Sequence, residues 1–214
     1  MTEDQMKQLK ERMMMMERGI DVSKWQKELN FSQAKKQGYD FCIVRAGRTG
    51  SNGRPIMDEL FYKNINGAKD AGMDIGIYFY SKATDVDTAH REAEWVNHLL
   101  KTDLKGISLK AGIWIDVEDD SMKKLNANEL TGIVMAIINR LNSYGIYVGI
   151  YSSFNFFTSH LNLKAIPKYV PLWVAQYGKE NRLKKLYPDK YIPLWQYSEN
   201  GKVGNVSVDL DIWY

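Results

Sequence analysis

An α/β barrel closed by about eight strands is the fold this sequence predicts, and two observations predict it. A unit of amphipathic helix, glycine and apolar strand recurs along the first two-thirds of the chain. The last third keeps strand-like segments, punctuated by Pro167, Pro171, Pro188 and Pro193, and has little convincing helix between them. Alternating helices and strands imply a parallel sheet with helices outside it.

The elements follow in order. Residues Met1 to Arg18 mix acids and bases, and Met6, Leu9, Met13 and Met16 stand near helical spacing. That reads as an N-terminal helical extension over 1–18, with the barrel domain over 19–214. The first strand starts at Gly19. Phe31 to Gln37 is helical in period and ends at Gly38, before Phe41-Cys42-Ile43-Val44. Asp58 to Ala71 ends at Gly72, before Ile75 to Tyr80. Asn128 to Tyr144 ends at Gly145, before Tyr147 to Tyr151. Glycine suits each helix end because the residue there commonly takes positive φ. A further helix, Asp85 to Lys101, is capped by Thr84 or Asp85 and precedes Ile113 to Glu118. Val170 to Ala175, Ile192 to Tyr197 and Val206 to Ile212 are the late strands, the last sealing the barrel against Ile20. A doubly wound open sheet is the alternative, but no phosphate-binding glycine motif supports it.

Composition narrows the function. The chain has 214 residues, 44% hydrophobic and 26% charged, an ordinary globular mixture. Its formal net charge of +3 is too weak a bias for a nucleic-acid partner. Cys42 is the single cysteine and there are 3 His, so neither a metal site nor a cofactor is expected. No run approaches ~20 apolar residues, so no stable membrane association is expected either. No signal-peptide core is visible, and a monomer is expected.

In a parallel barrel the chemistry lies at the C-terminal ends of the strands. Asp21, Arg45, Tyr78, Tyr80, Asp116, Glu118, Tyr151, Gln196 and either Asp209 or Asp211 fall there. Asp209 and Asp211 have the same strand parity, so spacing leaves that choice open. Trp114, Asp116 and Glu118 share one strand face, and Ile113, Ile115 and Val117 share the other. Two carboxyls two residues apart on a buried strand repel, and burial raises at least one pKa. Glycoside cleavage needs one protonated and one ionised carboxyl, which such a pair supplies. Asp119 and Asp120 extend the acidic run; a divalent-cation site is the alternative reading there.

The chain resembles glycoside hydrolase family 25, the Chalaropsis-type lysozymes. The likeness lies in Gly19-Ile20-Asp21-Val22-Ser23-Lys24-Trp25-Gln26, Arg45-Ala46-Gly47, Ile115-Asp116-Val117-Glu118 and Val148-Gly149-Ile150-Tyr151-Ser152. It continues through Leu172 to Tyr177, Leu194 to Tyr197 and Val208-Asp209-Leu210-Asp211. The third strand departs from it, with Tyr78-Phe79-Tyr80 where many relatives carry a Tyr-His-Phe type sequence. The resemblance implies a flattened (β/α)5(β)3 TIM-like barrel. It also implies hydrolysis of the β-1,4 bond between N-acetylmuramic acid and N-acetylglucosamine in bacterial peptidoglycan.

By that resemblance Glu118 is the general acid, and Asp116 orients the substrate N-acetyl group for attack on the anomeric carbon. Asp21 and Asp209 complete the acidic cluster, the family pattern favouring Asp209. Tyr78, Tyr80, Tyr151, Arg45 and Gln196 are expected around the substrate, and Trp25, Trp173 and Trp195 as platforms for sugar faces. The place of action is the cell wall, reached at lysis or by export, as for a phage endolysin or bacterial autolysin. A non-catalytic glycan-binding barrel and a hydrolase of another N-acetylated glycan such as chitin are the competing functions. The four carboxylates argue against the first; comparing peptidoglycan with chitin oligomers separates the second.

Overall fold

The computed structural model describes residues 16–214. The expected N-terminal helix thus lies, over residues 1–15, outside the described residues. Glu17 and Arg18 belong to the first strand, so the barrel starts two residues before the expected boundary.

The parallel strands are β1 (Glu17–Val22), β2 (Phe41–Thr49), β4 (Asp74–Tyr80), β5 (Ile113–Asp116), β6 (Gly149–Ser153), β7 (Leu172–Ala175) and β8 (Leu194–Val203). β9 (Val206–Trp213) lies antiparallel between β8 and β1, and β1 pairs β2, which closes an eight-stranded barrel. A short β3 (Pro55–Met57) hangs on the end of β2 as a hairpin. The helices are α1 (Phe31–Lys36), α2 (Phe61–Asp70), α3 (Val86–Lys101), α4 (Ala127–Ser143), α5 (Phe154–His160) and α6 (Arg182–Leu186).

The glycines after α1, α2 and α4 do what helix ends need: Gly38, Gly72 and Gly145 have φ of +84°, +68° and +76°. Asp85 caps α3, its carboxylate accepting from Thr88 N at 2.7 Å. Asn126 and Glu129 form a capping box on α4. The helix-poor last third has a simple cause: Gly204 and Asn205 alone join β8 to β9, and so short a turn forces an antiparallel return. α5 and α6, absent from the sequence reading, have seven and five residues, too short for helical periodicity to register.

Apolar residues form two layers between barrel and helices and a third inside the barrel. Ile115 of β5 and Val117 just after it pack outward, against α3 and α4 residues such as Val96 and Ile137. Phe41, Ile43, Trp114, Trp173 and Leu194 fill the inside. Trp114 needs a small neighbour there: a Cβ on Gly149 would stand 2.4 Å from its ring. This interior plug raises the floor of the site, which occupies the strand ends above it.

Candidate active site

The inward positions above the plug are Asp21, Arg45, Tyr78, Asp116, Tyr151, Gln196 and Asp211. β5 contributes Trp114 and Asp116 to the interior, two residues apart as alternation requires. Its ladder ends at Asp116, although Val117 N still donates to Tyr151 O at 2.9 Å. Glu118 is therefore the first side chain free of the sheet, and it is half-buried at the mouth.

The register of β9 resolves Asp209 and Asp211. Asp209 lies opposite Asp21 and Asp211 opposite Gly19, so Asp209 is nearer the mouth and Asp211 one layer deeper. Asp211 accepts from Trp173 Nε1 at 2.9 Å and is fully buried. It also meets the Asp21 carboxyl. Two carboxyls can share a hydrogen bond only if one is protonated. Burial, and then the charge of Asp21, push Asp211 well above the usual carboxylate range, so it is suited to hold that proton.

Gln196 links the other walls. Its Nε2 donates to Asp21 at 2.7 Å, and its Oε1 accepts from Tyr151 at 3.0 Å and from Tyr177 at 3.2 Å. Arg45 is held from outside: Asp58 accepts from its Nε and pairs with its guanidinium, both at 2.6 Å. Tyr80 donates to Asp119 at 3.1 Å, and Lys82 pairs with the same carboxylate at 2.8 Å. Asp120 pairs with Lys123. Cations and hydroxyls thus engage both residues weighed as cation ligands. Among the described residues no group of three or more His, Cys, Asp or Glu could hold a metal ion.

The electrostatics grade from floor to mouth. Burial lifts Asp21 and Asp116 well above the carboxylate range, with Asp209 adding to the first and Glu118 to the second. Glu118 is raised by burial and then by Asp209, while Lys123 pulls it back. Asp209 is raised to about 6, by burial and then Glu199. Asp116 Oδ1 is buried without a hydrogen-bond partner among the described residues. Such an orphan costs ~1–3 kcal/mol, a penalty best explained where an external donor is meant to bind. Glu118 borders a side cavity of about 300 Å³ with Lys123, Ser153, Asn155, Phe156, Ser159 and His160.

Not every expected residue belongs to this mouth. Trp25 is 70% exposed on the loop after β1, where a platform can be reached. Trp195 is not such a platform. Gln196 faces in, so its neighbour Trp195 faces out, 7% exposed and bonded through Nε1 to Gln176 O at 2.7 Å. Trp173 does face in but is 1% exposed beneath Tyr151 (ring centroids 4.4 Å apart), so it supports the floor and cannot stack on a sugar. Sequence reasoning leaves Asp211 as the alternative to Asp209 and does not reach Asp58, Tyr177, Lys82 or Lys123 as site residues. For Asp211 the strand parity is a usable signal; Tyr177 and Lys82 stand on loops and Lys123 in a single 3-10 turn, with no pattern to mark them.

Known proteins share this arrangement of strands. The profile of the Glycosyl hydrolases family 25 matches residues 20–206. The chain belongs to that family. It is 30% identical over 198 residues to the autolytic lysozyme of Clostridium acetobutylicum, covering 91% of this chain and 54% of that protein. It is 24% identical over 205 residues to the probable GH family 25 lysozyme 2 of Dictyostelium discoideum, covering 92% of this chain and 90% of that protein. The Clostridium perfringens spore cortex lytic enzyme SleM has the same fold, with a TM-score of 0.77 at 21% identity over 93% of this chain and 67% of SleM. The family thus accounts for the barrel with three late strands expected from the sequence. Among the described residues no helix is long and apolar enough to cross a membrane.

Proposed function

We propose that this family 25 barrel is a muramidase, cleaving the β-1,4 bond between N-acetylmuramic acid and N-acetylglucosamine in bacterial peptidoglycan. The observation that carries the reading is the pairing of Glu118 with Asp116. One carboxyl is half-buried at the rim with a raised pKa; the other is buried, with Oδ1 unpartnered. The two curated relatives named above are lysozymes, which supports it.

The steps of this reading take their roles from the family resemblance, and the geometry is compatible with them. Glu118, kept protonated by burial and by Asp209, gives its proton to the glycosidic oxygen as the bond to the anomeric carbon breaks. Asp116 Oδ1 accepts from the N–H of the 2-acetamido group, which turns the acetamido carbonyl oxygen toward the anomeric carbon. That oxygen forms the new bond, a recognised exception to the two-carboxylate scheme. Glu118, now ionised, takes a proton from water as water opens the cyclic intermediate. Asp209 helps to keep Glu118 protonated, and Asp21 completes the acidic cluster beneath it. Tyr78, Tyr80 and Tyr151 stand around the acetamido group, with Arg45 and Gln196 holding the walls and Trp25 flanking the groove. The place of action is the cell wall.

Mass spectrometry of fragments released from purified peptidoglycan tests this. Wild type should release products with reducing muramic acid ends, and Glu118→Gln should release almost none while keeping its melting temperature. Undiminished release by Glu118→Gln would falsify the assignment of the acid. Cleavage of chitin oligomers in preference to peptidoglycan would overturn the substrate.

A further inference from the structure

Glu92 lies outside the site, yet its contacts lead into it. It sits on the sheet-facing side of α3, where its neighbours Ala89, Ala93 and Val96 are apolar and buried. Its side chain is itself 0% exposed. Thr49 Oγ1 donates to Oε1, Lys82 N donates to the same oxygen at 3.3 Å, and Ser81 Oγ donates to Oε2 at 2.6 Å. Ion pairs among the described residues give it no cation. A carboxyl buried without one costs more than an apolar residue would, so stability does not explain it.

The donors explain it better. Thr49 ends β2, and Ser81 and Lys82 directly follow β4. One carboxyl therefore ties together the C-terminal ends of two adjacent barrel strands. Ser81 Oγ in turn accepts from Ala83 N at 3.2 Å, which fixes the start of the loop. From that loop the Lys82 ammonium reaches Asp119 Oδ2 at 2.8 Å, beside the Tyr80 hydroxyl on the same oxygen. Asp119 Oδ1 accepts from Ser121 N at 3.0 Å, capping the 3-10 turn Asp120–Lys124. Asp119 is the residue after Glu118.

We propose that Glu92 is a positioning residue for the acid: through Ser81 and Lys82 it clamps Asp119, and the clamp sets the direction in which Glu118 leaves β5. This rests on the reading of Glu118 as general acid. Glu92 touches no substrate, so it acts on the proton-transfer step and not on binding. Displacing a reacting group by about 1 Å can cost ~100-fold in rate.

Kinetics on purified peptidoglycan with Glu92→Gln, Lys82→Met and the double variant test this, with Glu118→Gln run alongside. Each single variant should lose about 10-fold to 100-fold in kcat with KM unchanged. The double variant should lose no more than Lys82→Met alone, because both changes break one relay. Losses that multiply in the double variant overturn the relay. So does a Glu92→Gln protein with a lower melting temperature and unchanged kcat. If Glu92→Gln fails to fold, Lys82→Met, changed at a half-exposed position, still decides: unchanged kcat overturns the proposal. An inactive Glu118→Gln beside unaffected relay variants sinks only this proposal; an active Glu118→Gln sinks the reading beneath it.

Discussion

The two halves of the barrel interior are built from the same strands and the same inward parity, yet their chemistry is opposite. The lower half holds Phe41, Trp114, Trp173, Leu194 and Trp213, with Trp114 edge-on to both Trp173 and Trp213 at 5.7 and 6.0 Å between centroids. The upper half holds Arg45, Asp116, Tyr151, Gln196 and Asp211. Moving two residues along a strand exchanges Trp114 for Asp116, Leu194 for Gln196 and Trp213 for Asp211. The lower half gains free energy from apolar burial, while the upper half gathers carboxyls whose burial is unfavourable. Stability and chemistry are thus stacked along one axis, and the aromatic plug offsets the cost of the acids above it.

That division can be broken from either side. The largest expected effect is on catalysis: Glu118→Gln should lower kcat by about 1000-fold, the size of a lost general acid, with an unchanged melting curve. From the other side, Trp114→Ala should destabilise the fold by ~3–5 kcal/mol in denaturant titrations, because the plug cannot collapse to fill the space. A loss below about 1 kcal/mol would mean that the plug does not carry the stability assigned to it.

Asp116→Asn should reduce kcat by about 100-fold, since it removes the carboxylate charge that strengthens the orienting hydrogen bond to the acetamido N–H and puts a competing NH2 donor beside it. Its melting temperature should hold or rise, because burial and Glu118 already disfavour the charge it removes. A change confined to KM would argue against the orienting role. A smaller effect is expected from pH. Asp209 keeps its proton to about pH 6 in the folded state, whereas an unfolded Asp releases it near its ordinary value of about 4. Its contribution to stability is full below pH ~4 and is lost as pH rises through about 6. Asp209→Asn should flatten the melting-temperature profile over that window; a steeper profile would contradict the sign. Glu92, raised to about 7 by burial, adds a slope of the same sign one step higher. The smallest effect belongs to Trp25→Ala, which should raise KM by up to ~10-fold without changing kcat.

Particular residues show where the sequence was legible. Alternation through Ile113-Trp114-Ile115-Asp116 sorted inner from outer side chains correctly, because a strand buried on both faces still has a period of two. The same rule shows why Trp195 and Gln196 cannot both face the substrate, a consequence that composition and resemblance obscured. Depth along the barrel axis was not legible. Asp209 and Asp211 have one parity, and only the pairing of Asp209 with Asp21 ranks them. The helices α5 and α6 were hidden by their length.

The sequence by itself determined the unit of helix, glycine and strand, the strand order that follows from it, and the set of carboxyls gathered at one end. Those are local properties: periodicity, turn chemistry and chain direction are written in neighbouring residues. The tertiary structure alone decided which carboxyl is at the rim and which lies on the floor, and whether a tryptophan is a platform or a plug. It also joined Glu92 to Asp119, 27 positions apart in the chain. Burial, pKa and hydrogen-bond partners depend on which strands lie side by side, and closing the barrel brings Asp21 next to Asp209 and Asp211.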